Sequence, residues 1–171
     1  MEGRRQNQKT APKMEEKAKE FDQKNHDVND IFGRTNAKAL FLFKWNIQLE
    51  DNPDKFGIDL FGKYKNITLK VEACVHSGKD WTSNKNIQDK YSDFMIWQRR
   101  PNHLKPSTEK EKFIICMWNK DGNLFATLNI TKEILKLPKQ KRRFQPRNHN
   151  TKAKPEMVIP VNHNKWKFHE I

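Results

Sequence analysis

From Ile67 to His76 the chain alternates apolar and polar residues without interruption, Ile-Thr-Leu-Lys-Val-Glu-Ala-Cys-Val-His. A period of two fits a strand that buries one face, and no helix can satisfy it. Leu69, Val71, Ala73 and Val75 fall on one side, with Lys70, Glu72 and Cys74 on the other. A second strand-like segment, Phe56 to Phe61, precedes it and carries Asp59. The intervening residues, Gly62 to Asn66, are long enough for a hairpin loop. If Asp59 pairs with Lys70 or with Glu72, the carboxylates of Asp59 and Glu72 point to the same side. Two convergent acids above an apolar floor suit a hard cation and hydrolysis. The competing interpretation is an amphipathic hairpin whose polar face is wet.

Charge narrows the partners. The 171 residues carry a formal charge of +13 and a pI of about 9.8. A chain this basic attracts polyanions, nucleic acid first and an acidic membrane surface second. No apolar run approaches a membrane span, and the N-terminus has no apolar signal segment, so a soluble intracellular protein without membrane contact is expected. Only 35% of residues are hydrophobic, which predicts one modest core with solvated flanks. Cys74 and Cys116 lie inside predicted strands and make no disulfide framework. The six histidines lack ligand spacing for zinc. On a strand, Cys74 and His76 are about 7 Å apart, twice the rise per residue, too far for a nucleophile–base pair.

Along the chain, residues 1–25 read as a flexible charged arm, residues 26–138 as the core domain, and residues 139–171 as a basic extension with a short apolar return. A helix is expected from about His26, capped by Asp27 or Asn29, with Ile31, Phe32, Ala39, Leu40, Phe43 and Ile47 as its apolar stripe and Gly33 interrupting it. Asp51-Asn52-Pro53-Asp54 ends that region. Phe94–Trp97 predicts a short third strand. Lys112–Trp118 is almost wholly apolar and predicts a central strand buried on both faces. Asp121-Gly122 predicts a turn into a strand over Leu124–Asn129, and Thr131 caps a short helix stopped by Pro138. Helix, strands and helix in this order indicate an α+β fold.

Several residues are candidates for contact with a sugar-phosphate backbone. Arg99 and Arg100 end the third strand, and a guanidinium fork suits phosphate. Lys141, Arg142 and Arg143 sit in a cationic run with Phe144, a pattern for contact independent of base sequence. Lys79 and Trp81 lie in the loop after the alternating strand, where Trp81 is exposed on local sequence grounds and suited to stack on a base. A solvated strand end, a localisation signal or a solvated tail are the competing interpretations of the charged runs.

The order of these motifs resembles the PD-(D/E)XK nuclease superfamily over roughly residues 54–135. Asp59 and Glu72, separated by 12 residues on consecutive strands, begin the pattern. Val71-Glu72-Ala73 with downstream Trp81 follows, then a short strand ending in Arg99-Arg100, and an apolar strand ending in Asn119 before a hairpin. The resemblance implies a restriction-endonuclease-like core with a mixed central sheet flanked by helices. It implies Mg²⁺ (or Mn²⁺) held by Asp59 and Glu72, with Glu50 as a further acid, and hydrolysis of DNA phosphodiester bonds. Lys70 would assist charge neutralisation, and Arg99 or Arg100 would meet the phosphate. Members of this kind often pair to cut two strands, so a homodimer is compatible, although no interface is legible. The family places Lys two residues after the second acid, where this chain has Cys74. A thiol supplies no positive charge. Two alternatives therefore stand beside the nuclease: a catalytically inactive nucleic-acid-binding protein of the same fold, and a basic adaptor for an acidic protein partner.

Overall fold

A computed structural model describes residues 23–54, 57–76, 78–97, 104–143 and 155–171. Most of the expected N-terminal arm, as well as Arg99 and Arg100, lies outside the described residues. The chain begins with helix α1 (Gln23–Trp45) and continues through strands β1 (Leu49–Asp51), β2 (Leu60–Tyr64) and β3 (Ile67–Val75). Helix α2 (Asn84–Lys90) and strand β4 (Asp93–Trp97) lead to β5 (Glu111–Trp118) and β6 (Leu124–Asn129). Helix α3 (Lys132–Leu135) precedes β7 (Gln140–Arg143), β8 (Pro155–Asn162), a 3-10 turn (His163–Lys165) and β9 (Lys167–Glu170).

Six strands form a mixed sheet in the order β1-β2-β3-β5-β6-β9. Its pairs are antiparallel except β3 with β5, which run parallel. A parallel pair needs a crossover connection, and the segment carrying α2 and β4 supplies it. Strands β4, β8 and β7 make a separate antiparallel sheet. The molecule is thus α+β with a mixed central sheet.

Helix α1 covers one face of that sheet. Ala37, Leu40 and Phe41, spaced for one helix face, pack with Leu49, Leu60, Leu69, Val71, Ala73, Cys116, Trp118 and Phe125. The buried stripe differs from the expected one: Ile31 and Phe43 are exposed. Gly33 does not break the helix. A Cβ there would meet the Ala73 carbonyl oxygen at 3.3 Å, so the missing side chain lets α1 lie close on β3. Asn46 ends the helix at a φ of +53°, and the N–H groups of Asn46 and Ile47 donate to the carbonyls of Leu42 and Phe41 at 3.0 Å each. A left-handed residue that satisfies the last carbonyls is an ordinary helix stop.

The opposite face of the central sheet packs mainly on the second sheet rather than on helices. Phe113, Ile115 and Met117 of β5 meet Phe94 and Ile96 of β4, Ile159 and Val161 of β8, and Ile87 of α2. β5 is therefore buried on both sides, as its composition predicted. The 139–171 segment contributes β7, β8 and β9, and its Val158, Ile159, Val161 and Trp166 are buried core residues. The basic run is thus an edge strand with a partner. Thr131 caps α3 as expected, its hydroxyl accepting from the Ile134 N–H at 3.3 Å.

The β2–β3 hairpin is tighter than expected. Gly62, Lys63 and Tyr64 belong to β2, with Tyr64 opposite Ile67. The loop is Lys65-Asn66 alone, and Lys65 takes a φ of +53°. A two-residue hairpin requires this left-handed geometry. No helix among the described residues is long and apolar enough to cross a membrane.

Candidate active site

β2 and β3 pair with Leu60 opposite Val71 and Phe61 opposite Lys70. Continuing the ladder by one residue sets Asp59 opposite Glu72. Of the two registers the sequence allowed, this is the one that aligns the acids. Asp59 itself lies in a bend just before β2. Ile58 packs with the core beneath the second sheet, whereas Leu60 packs under α1. Residues two apart on a regular strand share a face, so the backbone rolls over at Asp59.

Here the side chain replaces the strand. Asp59 Oδ2 accepts a hydrogen bond from the Ala73 N–H at 2.9 Å, beyond the point where β2 carbonyls are available. Its main-chain oxygen accepts from the Asn52 N–H, also at 2.9 Å. Asn52 Nδ2 in turn donates to the Ile58 carbonyl at 2.9 Å. Both ends of Asp59 are fixed by these bonds.

Burial raises the Asp59 pKa to about 7, and the negative charge of Glu72 is the next largest cause. The Ala73 N–H opposes the shift, Asp30 adds to it, and Arg34 lowers it. A buried Asp59 beside a second carboxylate is stabilised by taking up a proton or a cation. Asp30 and Arg34 form an ion pair one turn apart on α1, and Arg34 Nη1 also lies 3.7 Å from Asp51 Oδ1. Lys38 contacts the same Asp51 carboxylate at 2.5 Å. Asp30, Arg34 and Lys38 of α1 thus form a set of ion pairs with one another and with Asp51 of β1.

Glu72 and Cys74 are half-buried and face a crevice of about 40 Å³ closed by Met95, Trp97, Leu104 and Met117. That volume is room for a water molecule or two. Glu72 therefore opens on the gap between the two sheets, with Asp59 opposite it on the neighbouring strand.

Other expected members of the site are elsewhere. Lys70 shares the strand face with Glu72, but its Nζ is 2.6 Å from Glu111 Oε1 and 5.0 Å from the Phe113 ring centroid. It is committed to β5 and does not turn to the acid pair. Glu50 is exposed on the edge strand β1, opposite Phe61. The acid that Asp59 senses from the preceding region is Asp30 instead. The sequence signal that could have found it is an Asp–Arg pair at i and i+4 on the expected helix.

Trp81 is a core residue, 2% exposed, and cannot stack on a base. Its Nε1 donates to Asn84 Oδ1 at 3.1 Å, and its ring packs 5.1 Å from Phe94. Asn119, also buried, joins this loop to the hairpin: its Nδ2 donates to the Trp81 carbonyl at 3.2 Å and to Asn123 Oδ1 at 2.8 Å. Lys79 and Lys141 are exposed, Lys141 on β7. Arg142 and Arg143 continue that strand, but their side chains lie outside the described residues.

Among the described residues, no group of three His, Cys, Asp or Glu is disposed to bind a metal ion. The donor set available to a cation is the two carboxylates of Asp59 and Glu72. Hard oxygen donors of this kind are the ones that Mg²⁺ or Mn²⁺ takes, the rest of its shell being water, and the raised Asp59 pKa reflects burial first and the charge of Glu72 second. Compared with models of known families, with curated proteins and with solved structures, the chain has no match.

Proposed function

We propose that this chain is a metal-dependent nuclease of the restriction-endonuclease-like kind, hydrolysing DNA phosphodiester bonds at Asp59 and Glu72. The observation that carries this reading is the raised pKa of an Asp59 that is pinned to the Ala73 N–H, opposite Glu72. A fully solvated Asp59 would keep its pKa in the ordinary carboxylate range. The architecture supports it too: a helix, three antiparallel strands with Asp59 just before the second and Glu72 on the third, and a crossover to a strand parallel to the third.

In this reading Asp59 and Glu72 would hold Mg²⁺ or Mn²⁺. The ion, when bound, lowers the pKa of water and offsets charge on the scissile phosphodiester. The Ala73 hydrogen bond fixes the orientation of Asp59. Arg34 tempers the charge of Asp30 behind it. The +13 excess draws the polyanion to the surface.

A second reading, a nuclease-fold protein that binds nucleic acid without cutting it, draws on two observations. Cys74 stands where the family carries Lys, and the nearest cation on that strand, Lys70, is held by Glu111.

Supercoiled plasmid and a short branched DNA, each with Mg²⁺, Mn²⁺ or EDTA, distinguish them. Nicking is expected with either metal, none in EDTA, and none from Asp59→Ala, whose DNA affinity should be equal or higher because a repulsion toward phosphate is gone. Binding without cleavage under every condition establishes the second reading. Cleavage undiminished in Asp59→Ala rejects the site.

A further inference from the structure

Helix α1 covers only part of the sheet face on which it lies. Past its C-terminal residue Trp45, no other described residue covers the same face across β3, β5, β6 and β9, and an open groove of about 870 Å³ runs there. Its floor combines Leu69 and Ile114 with Thr127 and Asn129, so apolar and hydrogen-bonding side chains lie side by side. This groove is on the α1 face of the sheet, whereas Glu72 opens toward the second sheet.

Two aromatic rings wall the groove and are open to solvent: Trp45 at 36% and Tyr64 at 43% exposure. Lys44, Lys165 and Lys167 line it as well, all exposed, against one acid, Glu133. Lys44 Nζ lies 5.8 Å from the Trp45 ring centroid.

We propose that this groove binds a segment of single-stranded nucleic acid, with bases stacked on Trp45 and Tyr64 and phosphates on Lys44, Lys165 and Lys167. The occupant must be anionic, because cations outnumber the acid three to one. A second copy of the chain, itself at +13, is repelled. A hydrocarbon chain gains nothing from the hydroxyl and amide of Thr127 and Asn129 on the floor. A duplex keeps its base faces hidden, whereas a single strand offers a π face and a phosphate at each nucleotide, the pairing that sequence-independent single-strand sites use. The inference shares the nucleic-acid part of the proposed function and is independent of hydrolysis.

The test is fluorescence anisotropy of a labelled 16-nucleotide oligo-dT with the full chain in EDTA, where no cleavage interferes. Trp45→Ala and Tyr64→Ala should each weaken binding about tenfold or more, and Trp45→Phe should restore most of the loss. The triple variant Lys44→Gln, Lys165→Gln, Lys167→Gln should lower the slope of log affinity against log salt by about two, at about 0.7 per phosphate contact. A duplex of the same length should compete poorly. Thermal unfolding of each variant excludes loss of fold as the cause. Unchanged affinity in folded Trp45→Ala and Tyr64→Ala overturns the proposal, as does equal binding of an oligo-glutamate peptide, since charge alone would then be at work. The two readings fail separately: Asp59→Ala bears on nicking and Trp45→Ala on oligo-dT affinity.

Discussion

An ionised Asp59 shares its half-buried position with Glu72, and this sets a measurable pH dependence. In the unfolded chain the carboxyl titrates near 3.8, and in the folded protein at about 7. Between these values folding takes up a proton, so the stability contributed by this residue falls as pH rises through that window and stays low above it. Asp59→Asn keeps an acceptor for the Ala73 N–H but cannot ionise. It should stabilise the protein at pH 8 by on the order of 1–3 kcal/mol and change little at pH 4. Urea unfolding at the two pH values measures this directly. Millimolar Mg²⁺ should recover part of the difference in the wild type and leave Asp59→Asn unmoved, a readout of cation binding that needs no substrate. Equal effects of the substitution at both pH values would mean that Asp59 is not strained when ionised. The register that sets Asp59 opposite Glu72 was one of the two that the alternation of β3 allowed. The roll of the backbone at Asp59 was not legible, since it depends on Ile58 and Leu60 choosing opposite cores.

The elements that the sequence foretold best are those whose pattern is local. β3 declared itself by its period, β5 by its continuous apolar run, β6 by the Asp-Gly turn before it, and α3 by its Thr131 cap. Those it hid depend on distant partners. β7 is all polar and charged, Gln-Lys-Arg-Arg, and becomes a strand only because β8 is beside it. Cations on such an edge also deter a further strand from adding. Trp81 looked solvent-facing because its neighbours in sequence are polar, while its packing partners Phe94 and Phe168 come from elsewhere. Asn119 explains how that loop is held. Its Oδ1 accepts from the Leu124 N–H at 3.2 Å while its Nδ2 reaches the Trp81 carbonyl. Asn119→Ala strands these buried groups and should cost roughly 2–3 kcal/mol. The midpoint of urea denaturation is the check, and a loss within experimental error would show that the loop has other anchors.

Acid sensitivity belongs to the molecule as a whole. His76, His163 and His169 all have pKa values lowered from 6.5, with burial the first cause in each. Protons bind the unfolded chain more readily, so the stability linked to these residues is complete above about pH 6.5 and is lost as pH falls through their lower folded values. His163 is the most exacting of the three. Among the described residues neither ring nitrogen has a hydrogen-bond partner, and the ring lies 4.4 Å from Phe94 and 5.4 Å from Phe168. His163→Leu should reduce the drop in melting temperature between pH 7.5 and 5.5. An unchanged drop would assign the effect to the other two histidines.

The pairing of β4 with β8 joins residues 93–97 to residues 158–162, and β9 adds to β6 later still. During synthesis β4 emerges well before its partner. Until the last strands leave the ribosome it presents an open edge, and the core between the sheets lacks one of its walls. Closing so long a loop is slow, and an unpaired edge invites association with other chains in the interval. The many cations spread along this sequence then act in time as well as in space: they hold nascent copies apart while the final strand is still being made.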